Sequence, residues 1–228
     1  GVRTGVDLPN ERAGNVPDPE DYDKIYGAGR WRASSCVTLG IGQDQLILTP
    51  LQVANAMSTI ANSGYFYTPH ILKNTEGEDS LLQAFKLKHE TGYNDTIWHY
   101  IQEGMAGAVN FGTAKIARLD SIQVCGKTGT AENPHGKDHS WFACFAPQEN
   151  PKIAIGIIVE NSGFGATYAA PIASLITEKY LTGKISEKRK YLEEKMMKAD
   201  LITEPKPKTI PVDSNKTEPL VQVGKLPD

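Results

Sequence analysis

The sequence has few cysteines, and this shortage argues against a domain stabilised by disulfide bonds or by a zinc ion. Among its 228 residues there are three cysteines, namely Cys36, Cys125 and Cys144. Their number is odd and no two are spaced as Cys-x-x-Cys, which argues against a disulfide framework and against a structural zinc site. Cys125 and Cys144 stand in apolar, strand-like stretches, so both are predicted to be small core residues.

Long hydrophobic runs are also lacking. The most apolar stretch, Ile153 to Val159, is about seven residues long, whereas a helix that spans a bilayer needs about twenty. That stretch is therefore predicted to be a buried strand. The chain starts with Gly1-Val2-Arg3-Thr4 instead of Met and has no signal-peptide pattern, so we expect that an N-terminal part of the protein has been removed.

Charge of one sign is the third thing the sequence lacks. Its 24 basic and 27 acidic residues are interspersed and give a formal net charge of -3. Without a basic stripe to hold phosphates, nucleic acid is not an expected partner. A content of 39% hydrophobic and 22% charged residues is typical of one globular domain with a sizeable core.

The first half of the chain contains signals for helices, loops and one short strand. The first forty residues are rich in Gly, Pro, Asp and Asn and are predicted to be a loop-rich connection. Thr49-Pro50 is a typical helix start, and a second helix is predicted after Asn94 or Asp95. The predicted apolar stripes are Leu51, Ala54, Met57 and Ala61 in the first helix and Ile97, Ile101, Met105 and Ala108 in the second. Between them, Tyr65 to Leu72 is predicted to contain a short strand and Asn74 to Asp79 a turn.

From Ser121 onward the pattern favours β structure. Strands are predicted at Ile122 to Thr130, Ser140 to Ala146 and Lys152 to Glu160. The loop between the last two is too short for a parallel crossover, so the three strands should be antiparallel. A helix carrying Tyr168, Ile172, Leu175, Ile176 and Tyr180 should cover them, which predicts an α+β fold.

The composition changes beyond Gly183. Lysine and glutamate become frequent, and a stretch rich in proline and lysine follows. Ser186 to Ala199 is predicted to form a short charged helix, and Thr203 to Asp228 a solvated tail. The sequence therefore predicts one unit over residues 1–182 and an appended charged helix and tail over residues 183–228.

The segment Gly126 to Glu132 is the strongest candidate for chemistry. A phosphate-binding loop would need a glycine where Ser121 stands and a long helix afterwards, which Pro134 forbids. A strand at the rim of a cleft suits the residues better. Lys127 supplies a positive charge that attracts a carboxylate, and Gly129 lets another backbone approach closely.

Two threonines complete this strand. Thr128 and Thr130 share one face, so their hydroxyls could grip one carboxylate while an extended substrate adds along the strand edge. The main-chain N–H of Thr130 could donate into an oxyanion hole, where one donor is worth about 3 kcal/mol in the transition state. The plain alternative is a turn with a surface lysine.

Neighbouring residues give weaker signals. His135 and His139 frame a glycine where a metalloprotease helix would carry glutamate, so a solvated hairpin loop is preferred to a metal site. One of Trp141 and Phe142 should be core and the other free to face a cleft. The segment Asn161 to Tyr168 is equally compatible with a cleft wall and a plain connection, and Gly42-Gln43 is predicted to be structural.

Several motifs in a fixed order carry a resemblance to a known family. They are Thr4 to Pro9, Leu39-Gly40-Ile41-Gly42-Gln43, Thr49 to Ala56, Gly126 to Glu132 and His139-Ser140-Trp141-Phe142. With these motifs, roughly Gly1 to Leu181 resembles the penicillin-binding protein 2 group of class B penicillin-binding proteins, particularly its Bacteroides-type members. The resemblance implies a penicillin-binding transpeptidase or serine β-lactamase-like fold, with residues 1–182 forming the C-terminal part of that domain.

The resemblance also implies an activity and its partners. The activity is peptidoglycan D,D-transpeptidation without a cofactor or metal, and the ligands are stem peptides and β-lactam antibiotics. A membrane glycan polymerase of the elongation machinery would be a partner. The location would be periplasmic, with the parent protein anchored in the inner membrane. Lys127 and Thr130 would be catalytic, and Thr128, Gly129 and Thr130 would bind substrate.

One departure from the family pattern changes this expectation. The family's nucleophile motif Ser-x-x-Lys and its Ser-x-Asn or Ser-x-Asp motif do not occur in this sequence. Both lie upstream in the family, so residues 1–228 alone are predicted to be inactive. Two alternatives stay open: a non-catalytic β-lactam sensor of the same fold, and a hydrolase relative, against which the motif order around Gly42 and Ala54 argues.

Overall fold

The computed structural model describes residues 3–73 and 80–202. The first half contains α1 (Pro19–Tyr26), α2 (Ala33–Gly40), α3 (Pro50–Ala61), β1 (Tyr65–Tyr67), α4 (Ser80–Phe85), β2 (Lys88–Glu90) and α5 (Asp95–Asn110). The second half contains β3 (Cys125–Ala131), β4 (His139–Ala146), β5 (Ile153–Val159), α6 (Ala169–Thr182) and α7 (Lys190–Lys198). Short 3-10 turns at Lys115–Ala117 and Glu187–Arg189 precede β3 and α7.

Strands β3, β4 and β5 form one antiparallel sheet in that order, which confirms the predicted arrangement. Thr128 pairs with Phe142, and Phe142 pairs in turn with Ile157. Strand β5 was predicted to be buried, but each of its residues is only half-buried. The reason is its place at the edge of the sheet, where β4 is its one neighbour in the described part of the chain.

Helices cover both faces of the sheet. Successive strand residues point to opposite faces, and on one face Phe142 and Cys144 pack with Ala169, Ala170 and Ala173 of α6. On the other face Cys125 and Phe145 pack with Met105 of α5 and Met57 of α3. The result is an α+β arrangement with β4 at its centre, as the sequence predicts.

Helix α3 begins where its start signal predicts. The Thr49 hydroxyl oxygen accepts a hydrogen bond from the Gln52 backbone N–H, the Gln52 side-chain oxygen accepts one from the Thr49 backbone N–H, and Pro50 occupies the first turn. Its N-terminus packs closely on β5: a Cβ added at Gly156 would lie 2.7 Å from the carbonyl oxygen of Pro50 and 3.1 Å from the nitrogen of Ala54.

Helix α5 also begins where predicted, after the cap Asn94, but its predicted apolar stripe is partly wrong. Ile97 is 47% exposed and Ile101 37% exposed. The buried side chains are Trp98, Met105, Ala106 and Val109. Two adjacent stripes of this helix are apolar, and packing on β3 selected the second.

The first forty residues were predicted to be loop-rich, and this prediction is wrong for two segments, α1 and α2. Helix α1 starts with a capping box between Asp18 and Asp21, with Pro19 in the first turn. Tyr22 of α1 is buried and donates its hydroxyl hydrogen to Asp44 at 2.9 Å, and burial raises the pKa of this tyrosine to about 12. Helices of two turns carry too short an apolar period to be found by pattern.

Two segments follow predictions at least in part. Strand β1 is shorter than the segment Tyr65 to Leu72 that was predicted to hold it, and it pairs with β2, which was not predicted. The predicted charged helix corresponds to Glu187–Arg189 and α7, where Ile185 and Leu192 pack against Leu175 of α6.

The predicted turn at 74–79 and tail at 203–228 lie outside the described residues. Over the residues that are described, no helix has both the length and the apolar character needed to cross a bilayer.

Candidate functional site

The Lys-Thr-Gly-Thr segment lies on β3, at one edge of the sheet. In the described part of the chain β4 is the one strand that pairs with β3. Lys127 is exposed, while Thr128, Gly129 and Thr130 are half-buried. On its outer side an edge strand has main-chain N–H and C=O groups that no neighbouring strand pairs. A second extended chain can therefore hydrogen-bond to this segment.

Two side chains mark which carbonyls of β3 point outward. Thr128 O accepts a hydrogen bond from Lys127 Nζ at 2.5 Å, and Thr130 O accepts one from Gln43 Nε2 at 3.0 Å. Residues two apart on a strand direct their backbone groups to the same side. Both carbonyls therefore face away from β4, and the N–H of Thr130 points to the same outer side.

The threonine side chains lie on a different face from Lys127. Thr128 and Thr130 are opposite Phe142 and Ser140 in the ladder and share their face, as the two-residue spacing predicts. The hydroxyl of Thr128 is 2.7 Å from the hydroxyl of Thr113, a hydrogen bond in which either oxygen can be the donor. Thr113 lies in the turn after α5 and was not singled out from the sequence.

The segment 161–168 runs directly against the sheet at Gly129. A Cβ added at Gly165 would lie 2.3 Å from the carbonyl oxygen of Trp141 and 2.6 Å from that of Gly129. The close backbone approach expected at Gly129 is thus present, and the backbone that approaches belongs to this chain. Gly129 itself has little room, since its own added Cβ would be 3.2 Å from Trp141 Cβ.

Ser140 holds this segment in place. It is 0% exposed, donates its hydroxyl hydrogen to Phe164 O at 2.9 Å and accepts from the Ala169 N–H at 3.1 Å. One buried hydroxyl therefore joins β4, the 161–168 segment and the start of α6. Phe164 is 72% exposed. Of the two aromatic residues that follow Ser140, Phe142 is the core residue at 0% exposed, and Trp141 is half-buried.

The turn between β3 and β4 is joined to the same segment. Asn133 Nδ2 donates to Asn161 Oδ1 at 2.7 Å, and the Asn161 N–H donates to His139 Nδ1 at 3.0 Å. Asp138 O accepts from the backbone N–H groups of residues 162 and 163. Across residues 3–73 and 80–202, no three His, Cys, Asp or Glu side chains are placed to hold a metal ion together.

The two cysteines nearest the site are core residues, as predicted. Cys125 is 0% exposed and Cys144 1% exposed. Burial raises the pKa of each thiol to about 12, so both are neutral at physiological pH and poor nucleophiles.

Three contacts on β3 were missed by sequence analysis. Gln43 lies 87 positions before Thr130, Thr113 15 positions before Thr128, and Gly165 reaches Gly129 from beyond β5. The Gly42-Gln43 motif was predicted to be structural, which agrees with its contact to a backbone carbonyl. The sequence indicates a turn at Thr113, after the end of α5. It does not indicate that Thr113 contacts Thr128, because that contact depends on how α5 packs.

The sequence matches one family profile over most of its length. Residues 1–178 match the family described as the penicillin binding protein transpeptidase domain. Among curated proteins, the chain is 34% identical to the peptidoglycan D,D-transpeptidase MrdA of Haemophilus influenzae, with 90% of this chain and 34% of that protein aligned. The chain thus spans about a third of the length of this curated relative.

Solved structures of related sequence share the fold. One is a complex between penicillin-binding protein 2 and MreC from Helicobacter pylori, with a TM-score of 0.67, 31% identity, and coverage of 80% of this chain and 34% of that chain. Another is penicillin-binding protein A from Mycobacterium tuberculosis as an imipenem acyl-enzyme complex, with a TM-score of 0.56, 30% identity, and coverage of 66% of this chain and 35% of that chain.

Proposed function

The chain belongs to the penicillin-binding protein transpeptidase domain family, and from that premise we propose that it supplies the Lys-Thr-Gly strand of a peptidoglycan D,D-transpeptidase. Residues 1–182 form the C-terminal part of the transpeptidase domain in this proposal, and residues 183–228 are an appended helix and tail. The observation that carries it is the edge position of β3, with Lys127 exposed and the backbone of Thr128 and Thr130 facing outward.

Each residue of the strand has a role in the proposed reaction. Lys127 attracts the terminal carboxylate of the stem peptide and favours anionic forms of nearby groups. The hydroxyls of Thr128 and Thr130 bind that carboxylate. The outward N–H of Thr130 donates to the oxyanion that forms on the attacked carbonyl. Gly129 keeps the strand narrow where the 161–168 segment approaches.

The nucleophile in this proposal is a serine outside residues 1–228, because no serine among them begins a Ser-x-x-Lys motif. Its oxygen attacks the carbonyl carbon of the penultimate D-Ala, and the bond to the terminal D-Ala breaks. The departing amine takes the serine's proton. The nitrogen of a neighbouring stem amine then attacks the ester carbonyl carbon, the bond to the serine oxygen breaks, and one proton of that amine passes to the serine oxygen. Residues 1–228 alone carry out no acylation.

The proposal extends to partners and location. The substrates are stem peptides, and β-lactams mimic them, as the imipenem acyl-enzyme of the M. tuberculosis relative supports. The parent protein lies in the periplasm, anchored in the inner membrane, and acts with a membrane glycan polymerase. That a relative forms a complex with MreC supports assembly with other proteins.

Intact mass after incubation with benzylpenicillin tests the proposal. The full-length protein should gain one stable adduct, and a Lys127→Ala variant should acylate about a hundredfold more slowly, because the site loses preorganised charge. Residues 1–228 alone should gain no adduct.

The control is Lys137→Ala, which removes an exposed lysine from the adjacent hairpin turn and should acylate at the wild-type rate. If the full-length protein gains no adduct, the proposed function is wrong. If Lys127→Ala and Lys137→Ala acylate equally fast, the role of Lys127 is wrong.

A further inference from the structure

The turn after α5 holds Thr113 in a fixed position beside β3. The N–H of Gly112 donates to Gly107 O at 3.1 Å, and the N–H of Ala114 donates to Ala108 O at 3.0 Å. Ala114 is 0% exposed, and a Cβ added at Gly112 would lie 2.9 Å from the backbone of Ala108. Thr113 therefore sits between two residues whose backbones are tied to the last turn of the helix.

Helix α5 brings this turn to the strand. Met105 and Ala106 of α5 pack in one cluster with Cys125 at the start of β3. The axis of the helix is thus fixed against the strand that bears the Lys-Thr-Gly motif. As a result, the hydroxyl of Thr113 reaches the hydroxyl of Thr128 at 2.7 Å, an ordinary length for an O–H···O hydrogen bond.

In a hydrogen bond between two hydroxyls, one must donate and the other must accept. Each threonine hydroxyl has one hydrogen to donate and two lone pairs to accept, so one hydrogen lies between the two oxygens. If Thr128 donates to Thr113, its only hydrogen is used within the protein. If Thr113 donates to Thr128, the hydrogen of Thr128 is available for a ligand.

A carboxylate ligand selects the second arrangement. A carboxylate oxygen accepts hydrogen bonds and donates none, so Thr128 must donate to it and must accept from Thr113. Each hydrogen bond in such a chain polarises and strengthens the next. Thr113 is exposed and Thr128 half-buried, so a ligand can reach the pair.

We propose that Thr113 is a positioning residue that donates to Thr128 and thereby directs the Thr128 hydroxyl hydrogen toward the carboxylate of the bound stem peptide or β-lactam. This inference rests on the proposed function, which gives Thr128 a carboxylate to bind. Thr113 itself does not touch the reacting atoms. It acts on ligand binding through the orientation of one hydroxyl.

The test uses the full-length protein, with benzylpenicillin and its methyl ester as probes. Thr113→Val removes the donor with little change of shape, and it should slow acylation by benzylpenicillin about tenfold, the usual effect of one hydrogen bond. The loss should lie in the concentration dependence and not in the rate at saturation. The ester has no anionic carboxylate, so its acylation rate should change less than about twofold, within the usual range for a neutral substitution.

Two further variants complete the design. Thr113→Ser keeps the hydroxyl and should restore most of the benzylpenicillin rate. Thr96→Val removes an exposed threonine at the far end of α5 and should behave as the wild type. Thr113→Ala is measured as well, so that a second donor-free variant is available if valine disturbs folding of the turn, and thermal unfolding midpoints are recorded for all variants.

The possible outcomes distinguish a failure of this inference from a failure of the proposed function on which it rests. The inference is overturned if Thr113→Val and Thr113→Ala slow acylation by both probes by the same factor, or if they slow acylation by neither probe. Either result would show that Thr113 does not orient Thr128 toward a carboxylate. If the wild-type protein reacts with neither probe, the proposed function itself is overturned, and the inference falls with it.

Discussion

At the scale of single residues, burial divides the three cysteines into two kinds. Cys125 and Cys144 lie in the core, and desolvation raises the pKa of each thiol to about 12. Cys36 lies in α2 and is exposed. The thiolate is the reactive form of cysteine, so these environments decide which thiol can be modified in the folded protein.

This division predicts the outcome of thiol labelling in the native protein. Well below a pKa of about 12 the buried thiols are protonated, so at pH 8 their thiolate fraction is about one in ten thousand. Iodoacetamide at pH 8 should therefore label one cysteine quickly in residues 1–228 and the other two only after urea is added. Cys36→Ser should remove the fast label. Two or more fast labels would contradict the assigned burial.

At the scale of elements, the important contact is between the sheet and the segment that follows β5. Gly165 lies against the paired residues Gly129 and Trp141, and Ser140 binds both Phe164 and Ala169. The neighbours of Gly165 are backbone atoms, which cannot move aside as a flexible side chain can. The position of this segment therefore depends on a residue without a side chain.

Gly165→Ala should displace the segment and destabilise the protein by about 1–3 kcal/mol, as overpacking does elsewhere. The control is Gly104→Ala in α5, where an added Cβ meets no atom within 4 Å. That variant should be more stable than the wild type by about 1 kcal/mol, because alanine favours helix over glycine. Urea unfolding measures both. Equal midpoints for Gly165→Ala and the wild type would show that the segment is free of the sheet.

At the scale of the whole molecule, the start of α7 is joined to the rest of the fold by Arg189, in addition to the apolar packing of Leu192 against Leu175. Arg189 Nε and Glu178 Oε2 lie 3.1 Å apart, with the side chains 15% and 10% exposed. This contact is an ion pair without hydrogen-bond geometry. The Arg189 guanidinium also donates to Arg118 O at 2.7 Å and to the Ser174 hydroxyl. Three separate parts of the chain thus meet at one cation.

Loss of this cation should be costly, because it leaves the Glu178 carboxylate buried without its partner. Arg189→Met should lower the free energy of unfolding by about 3 kcal/mol, and the double variant Arg189→Met with Glu178→Leu should recover most of the loss. Urea unfolding is the measurement.

The matched control for this pair lies next to it in sequence. Lys188 pairs with Asp120, and both side chains are more than four-fifths exposed, at 82% and 84%. Solvent screens such a pair, so Lys188→Met should not change the unfolding curve measurably. If Arg189→Met also leaves it unchanged, the buried pair does not hold α7 in place.

The sequence by itself determined the features that depend on neighbours along the chain. Thr49 and Gln52 cap a helix because they are three residues apart. The loop at 147–151 enforces an antiparallel hairpin because five residues cannot carry the chain across a sheet. The Lys-Thr-Gly-Thr segment was recognisable because its residue types and their order are local as well. Helices as short as α1 and α2 were not predicted, since two turns give little periodic pattern to detect.

Only the tertiary structure decided which side of an element is used and which distant groups meet. The apolar residues of α5 allowed two buried faces, and contact with β3 selected the face of Trp98 and Met105 over that of Ile97. The tertiary structure likewise decided the hydrogen bonds of Gln43 with Thr130 and of Thr113 with Thr128. Their physical reason is that a hydrogen bond acts over about 3 Å, so its partner is fixed by the packing of helices against the sheet and not by the order of residues in the chain.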